Sequence, residues 1–75
     1  MGSKYPILTP KEIIRALEKL NFRKTSQKGS HAKYKDNSAP NKIVIIPLHS
    51  EIARGTLKSI LEQANISLED FLKLL

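Results

Sequence analysis

The chain has 75 residues, a net charge of +6 and no cysteine. Its length fits one domain, residues 1–75, with a modest core. Without thiols there are no disulfides and no thiolate metal sites, and a reducing cytoplasm is the expected compartment. No apolar run is long enough to cross a bilayer, so no membrane partner is expected. The opening MGSKYPILTP lacks the charged start and long apolar segment of a secretory signal. Met1-Gly2-Ser3 carries no argument; Met-Gly could suggest myristoylation, but Pro6 stands where that motif wants Ser or Thr. A small domain with a pI near 9.9 finds its charged partners among polyanions. The positive charge is concentrated, since residues 22–35 hold Arg23, Lys24, Lys28, Lys33 and Lys35 with no acid among them.

TPKEIIRALEKLNF reads as the first helix. Thr9 is the expected N-cap, Pro10 suits the first helical position and Glu12 completes a capping box. Ile13, Ile14, Leu17 and Leu20 fall on one face at helical spacing. Asn21 is expected to end the helix in the left-handed conformation. Phe22–Gln27 reads as a strand, Lys28-Gly29 as a tight turn and Ser30–Asp36 as a second strand. DNSAPN has the composition of a loop. KIVIIPL is a third strand, ended by Pro47. A connecting stretch, HSEIARGT, leads to a helix with Leu57, Ile60, Leu61 and Ala64 on its apolar face, closed by Asn65 with Ile66 packing back. Ser67 and Asp70 cap a short last helix whose inner face is expected to be Leu68, Phe71, Leu72 and Leu75. The order α-β-β-β-α-α predicts an α+β domain, a three-stranded antiparallel meander with the helices on one face.

Strand alternation then separates the second strand into two sets. Ser30, Ala32 and Tyr34 share the more apolar face, which is assigned to the helices. His31, Lys33 and Lys35 line the open face, with Lys28 from the turn nearby. The third strand is apolar on both sides, Ile43 and Ile45 on one and Val44 and Ile46 on the other. The open side of that strand is either covered by the aliphatic stems of residues such as Arg23 or Lys33 or is a docking surface for a partner protein.

Two histidines and no cysteines cannot build a usual structural zinc site, and the carboxylates lack calcium-loop spacing. No cofactor is expected, since KGS is too short and too poor in glycine to be a phosphate-binding loop. RNA offers chemistry that needs less equipment. Its 2′-hydroxyl can attack the neighbouring phosphate, given an imidazole to take the proton and lysines to hold the developing charge. A histidine on a basic strand is nonetheless more often solvated or base-stacking than catalytic. His49, in PLHSE, either steadies its loop or reaches the same site as a phosphate ligand or general acid. From the residues alone a ribonuclease, a non-catalytic RNA-binding module and a protein-binding adaptor all remain open.

The run LTPKEIIRALEKLNF, then GSHAKY, IIPLH, RGTLKSILEQANI and SLEDFLKLL resembles the HicA (YcfA-like) family of toxins over nearly the whole chain. The combination of GSHAKY, PLH and GTLKSIL is specific. Asn21 departs from the glycine often found there, with the same backbone conformation available. The resemblance implies a fold like the double-stranded-RNA-binding domain and an mRNA interferase of a type II toxin–antitoxin system. It implies His31 as the catalytic residue, with Gly29 and Ser30 in the rest of the glycine-serine-histidine motif, and a HicB antitoxin that covers the site. Lys28, Gly29, Ser30, Lys33 and Lys35 are the expected RNA-binding residues beside it.

Overall fold

A computed structural model describes residues 5–75, and of residues 39–41 the backbone alone. Met1-Gly2-Ser3 lies outside the described residues. The elements run α1 (Pro10–Glu18), β1 (Phe22–Lys28), β2 (His31–Asp36), β3 (Ala39–Pro47), α2 (Arg54–Ala64) and α3 (Leu68–Leu72). The strands form one antiparallel sheet in the order β1-β2-β3, with β2 in the centre. This is the expected α+β order.

The helices begin where their side chains can satisfy free backbone N–H groups. The Glu12 N–H donates to Thr9 Oγ1 (3.3 Å) and the Thr9 N–H donates to Glu12 Oε1 (2.9 Å), a complete capping box. The backbone N–H of Thr9, and then its hydroxyl, hold the Glu12 carboxyl below the usual carboxylate pKa. The Asp70 N–H donates to Ser67 Oγ (3.1 Å) at the start of α3. Asn65 closes α2 with φ +56°, and the Ile66 N–H reaches back to the Leu61 carbonyl (3.1 Å). Asn21 also takes a positive φ, 72°, but α1 ends at Glu18 and tightens into i→i+3 hydrogen bonds before it.

One core joins the layers: Ile13, Ala16 and Leu17 from α1, Phe22, Ala32, Tyr34, Val44 and Ile46 from the sheet, Leu57, Ile60, Leu61 and Ala64 from α2, and Phe71 from α3. Ile14 and Leu20 pack against its edge. Leu8 and Ile52 are buried too and pair across an isolated antiparallel bridge, with the Ile52 N–H donating to the Leu8 carbonyl (2.7 Å).

Three expectations are corrected. The first hairpin turns at Gly29-Ser30 rather than Lys28-Gly29, because Lys28 is still paired with His31 and Gly29 takes φ +58° as the first turn residue. DNSAPN is not a loop throughout: the chain turns at Asn37-Ser38 and β3 starts at Ala39. The Asp36 carboxylate accepts from the Ser38 N–H (2.8 Å) and hydroxyl (2.7 Å), and a register irregularity beyond Lys35 takes up the extra residues. In the last helix Phe71 is buried and Leu68 packs on the core, but Leu72 and Leu75 are 41% and 52% exposed. Leu72 is still helical but lies at the margin of the face that Leu68 and Phe71 turn to the core; beyond it the helix stops, so helical spacing no longer reaches Leu75, and Leu74 packs inward instead.

Candidate functional site

Residues directly opposite in an antiparallel ladder share a face. The outer face therefore carries three cross-strand rows: Lys28, His31 and Pro47; Ser26, Lys33 and Ile45; Arg23, Lys35 and Ile43. His31, Lys33 and Lys35 stand outward as alternation predicts, while Ala32 and Tyr34 are buried. None of the nine positions is acidic. Among the described residues, the ion pair present joins Lys73 to Asp70 on the last helix, so Lys28, Lys33 and Lys35 are not neutralised.

A bulge in β1 brings Lys28 to this face. The register shifts between Lys24 and Ser26, leaving Thr25 over, its hydroxyl donating to the Lys33 carbonyl (3.4 Å). Phe22 and Lys24 oppose the inward residues Asp36 and Tyr34, whereas Ser26 and Lys28 oppose the outward residues Lys33 and His31. One extra residue reverses the alternation. Without it Lys28 would face away from His31. The hairpin tip is closed by the Gln27 side-chain amide, which donates to the Gly29 carbonyl (3.1 Å), and Lys24 Nζ donates to the Gln27 side-chain oxygen.

Lys28, Gly29, Ser30 and His31 thus gather at one end of the sheet. Lys33 is the next outward position along β2. Lys35, four residues from His31, lies roughly 13 Å away at about 3.3 Å per residue. Arg23 turns away from the face: its guanidinium donates to the carbonyls of Glu18 (3.0 Å) and Phe22 (2.8 Å), at the end of α1. It does not cover β3, and Ile43 and Ile45 remain 36% and 39% exposed. Lys33 and Lys35 are half-buried, as expected of long stems lying on a sheet. At the edge of β3 the Ile45 N–H donates to Gln63 Oε1 from α2 (3.1 Å).

His49 comes to the same end. The two imidazole rings lie with centroids 6.4 Å apart and planes at 70°, an edge-on arrangement. Both residues are exposed, and among the described residues neither ring takes part in a hydrogen bond. A hollow of about 430 Å³, lined by Phe22, Asp36, Lys42 and Ile66 among others, lies at the other end of β2 and is separate from the histidines. Among the described residues no three His, Cys, Asp or Glu side chains gather as metal ligands, and no helix is long and apolar enough to cross a membrane.

Fold and surface together define a small basic α+β domain whose open sheet face presents His31 and three lysines, with His49 beside His31 at one end of the sheet. The sequence profile of the HicA toxin of bacterial toxin–antitoxin systems matches residues 10–66, so the chain belongs to that toxin family. No curated protein matches the chain.

Proposed function

We propose that this toxin is an endoribonuclease that cleaves mRNA in the cytoplasm and so inhibits translation and growth. The observation that carries the reading is the position of His31: exposed, on the open face, opposite Lys28 and followed outward by Lys33. In the family to which the chain belongs, a toxin needs a target, and this face has the charge for a polyanion.

The mechanism follows from RNA's own nucleophile. Neutral His31 removes the proton of a 2′-hydroxyl, and the 2′-oxygen attacks the adjacent phosphorus. The ammonium groups of Lys28 and Lys33 hold the phosphate and stabilise the extra negative charge of the phosphorane. Gly29 and Ser30 form the turn that sets Lys28 beside His31, with the Ser30 carbonyl accepting from the Leu48 N–H (2.6 Å). Lys35, farther along the strand, binds a neighbouring phosphate and places the strand of RNA. The reaction needs no metal ion and no cofactor, since imidazole and lysines supply its parts. DNA, without the 2′-hydroxyl, is not a substrate.

A HicB-type antitoxin is the protein partner in this reading. It would dock on the outer face, where exposed Ile43 and Ile45 border the lysine row, and block RNA from the histidine.

Induced expression in bacteria tests the activity. The wild-type chain should arrest growth with loss of mRNA, and His31→Ala should relieve arrest while remaining folded. A folded His31→Ala protein that is equally toxic contradicts the assignment. RNA binding by the purified protein without cleavage would make it a non-catalytic RNA-binding module on the same face.

A further inference from the structure

We propose that His49 is the second proton-transfer group of this site, the general acid that protonates the leaving oxygen. The inference rests on the ribonuclease reading and completes it, because His31 can accept one proton but the reaction moves two.

His49 is eighteen positions from His31 in sequence and lies outside the sheet, two residues beyond the end of β3. The fold nevertheless holds it in place from both sides. Pro47 is the cross-strand partner of His31. The Leu48 N–H donates to the Ser30 carbonyl (2.6 Å), and Leu48 packs against the core. Beyond His49, Ile52 is buried and its N–H donates to the Leu8 carbonyl (2.7 Å). The segment from Leu48 to Ile52 is thus a tied connection, with His49 exposed between its two anchors.

The resulting centroid distance of 6.4 Å at 70° between planes suits two functions. Edge-on aromatic pairs at this distance support each other by contact alone. Two imidazoles can instead flank one substrate group, each nitrogen within about 2.6–3.2 Å of a different oxygen. The second arrangement is what phosphodiester cleavage uses. Imidazole is the side chain that exists in both proton states near neutral pH, so one ring can accept while the other donates.

The proton and bond balance is complete. His31 takes the 2′-hydroxyl proton, and the 2′-oxygen bonds to phosphorus. The bond from phosphorus to the 5′-oxygen breaks, and protonated His49 gives its proton to that oxygen. The products are a 2′,3′-cyclic phosphate and a 5′-hydroxyl, and the two rings return to their starting forms by exchanging protons with water. No oxidant, reductant or metal enters.

The experiment uses the purified full-length chain and two short oligoribonucleotides, one ordinary and one with sulfur in place of the leaving 5′-oxygen. A thiolate leaves without protonation, so it does not need the acid. His49→Ala and His49→Gln should each lower cleavage of ordinary RNA about 10²–10⁴-fold. Both should cleave the sulfur substrate within about tenfold of wild type, whereas His31→Ala should fail on both. His49 is exposed, so both variants should keep the wild-type circular dichroism spectrum and unfold at the same denaturant midpoint as wild type. If folded His49 variants cleave ordinary RNA as well as wild type, or lose both substrates equally, His49 is not the acid. If wild type cleaves neither substrate, the ribonuclease reading itself is wrong.

Discussion

The two faces of one sheet behave as different materials. On the inner face Val44 and Ile46 are fully buried, Ala32 and Tyr34 nearly so, and the helices complete a continuous core. On the outer face the intervening residues of the same strands are His31, Lys33, Lys35, Ile43 and Ile45, and each is at least partly exposed. Strand alternation divides the work: one set of residues stabilises the domain, and its neighbours are left facing outward with their charge and apolar surface exposed. A domain this small has little stability to spare, so a site placed on the outer face can be occupied by charge without weakening the core.

The sharpest way to break the comparison is to truncate one side chain on each face. Phe22→Ala empties a fully buried aromatic position and should cost about 3–5 kcal/mol in denaturant unfolding, enough to unfold much of the population. His31→Ala, on the exposed face, should stay within about 0.5 kcal/mol of wild type in the same measurement. Equal destabilisation by the two would mean that the faces are not separate.

Lysine removal sharpens the outer side. Lys33→Ala and Lys35→Ala should each weaken RNA binding and lower the slope of log affinity against log salt by about 0.7 for each single-strand phosphate that the variant no longer neutralises. The two variants should differ in turnover. Lys33→Ala lowers the cleavage rate of bound RNA, because Lys33 is next to His31, whereas Lys35→Ala affects binding alone. Single-turnover kinetics at saturating protein separates the two effects.

The capping box gives a smaller effect that neither face carries. Thr9→Ala should lower stability by about 1 kcal/mol in thermal or denaturant unfolding. It also removes the hydroxyl that helps hold the Glu12 carboxyl below its ordinary pKa. The sign of the pH dependence follows. With the folded pKa lowered, the Glu12 contribution is present above the unfolded carboxylate range, about 4.3, and is lost as pH falls through the folded value. The acid-side decline of stability should therefore be shallower in Thr9→Ala.

Tyr34 supplies the smallest effect, at the opposite end of the pH scale. Burial, and then the charge of Glu18, raise its pKa above the usual phenol value. Its contribution is complete below the unfolded value, about 10, and is lost as pH rises toward the folded one. Unfolding followed from pH 9 to pH 11 should show stability falling with pH, and Tyr34→Phe should flatten that decline.

What was legible in the sequence was what is local. Thr9 with Glu12, Ser67 with Asp70, and Asn65 are caps whose partners lie within a few residues, and each forms as read. The alternation of β2 is equally local, and it put His31, Lys33 and Lys35 on one side. The approach of His49 to His31 is not local. It depends on the pairing of His31 with Pro47 and on the Leu48 and Ile52 hydrogen bonds, so sequence alone left a loop support, a phosphate ligand and a general acid all open and made His49 a weaker candidate than His31. The bulge at Thr25 was invisible for a related reason: nothing in FRKTSQK marks an extra residue, yet it decides which face Lys28 joins. The exposure of Leu75, with Leu74 packed inward in its place, shows the limit of periodicity, which holds while a helix continues and gives no warning of where it stops.

The measurement that tests the central claim most directly is cleavage of a defined RNA by the purified protein, with circular dichroism confirming that each variant is folded. Wild type should cleave in the presence of a chelator, leaving a 2′,3′-cyclic phosphate end, and folded His31→Ala should be about 10²–10⁴-fold slower. A folded His31→Ala protein that cleaves at the wild-type rate, or a wild-type protein that binds RNA without ever cutting it, would contradict the account.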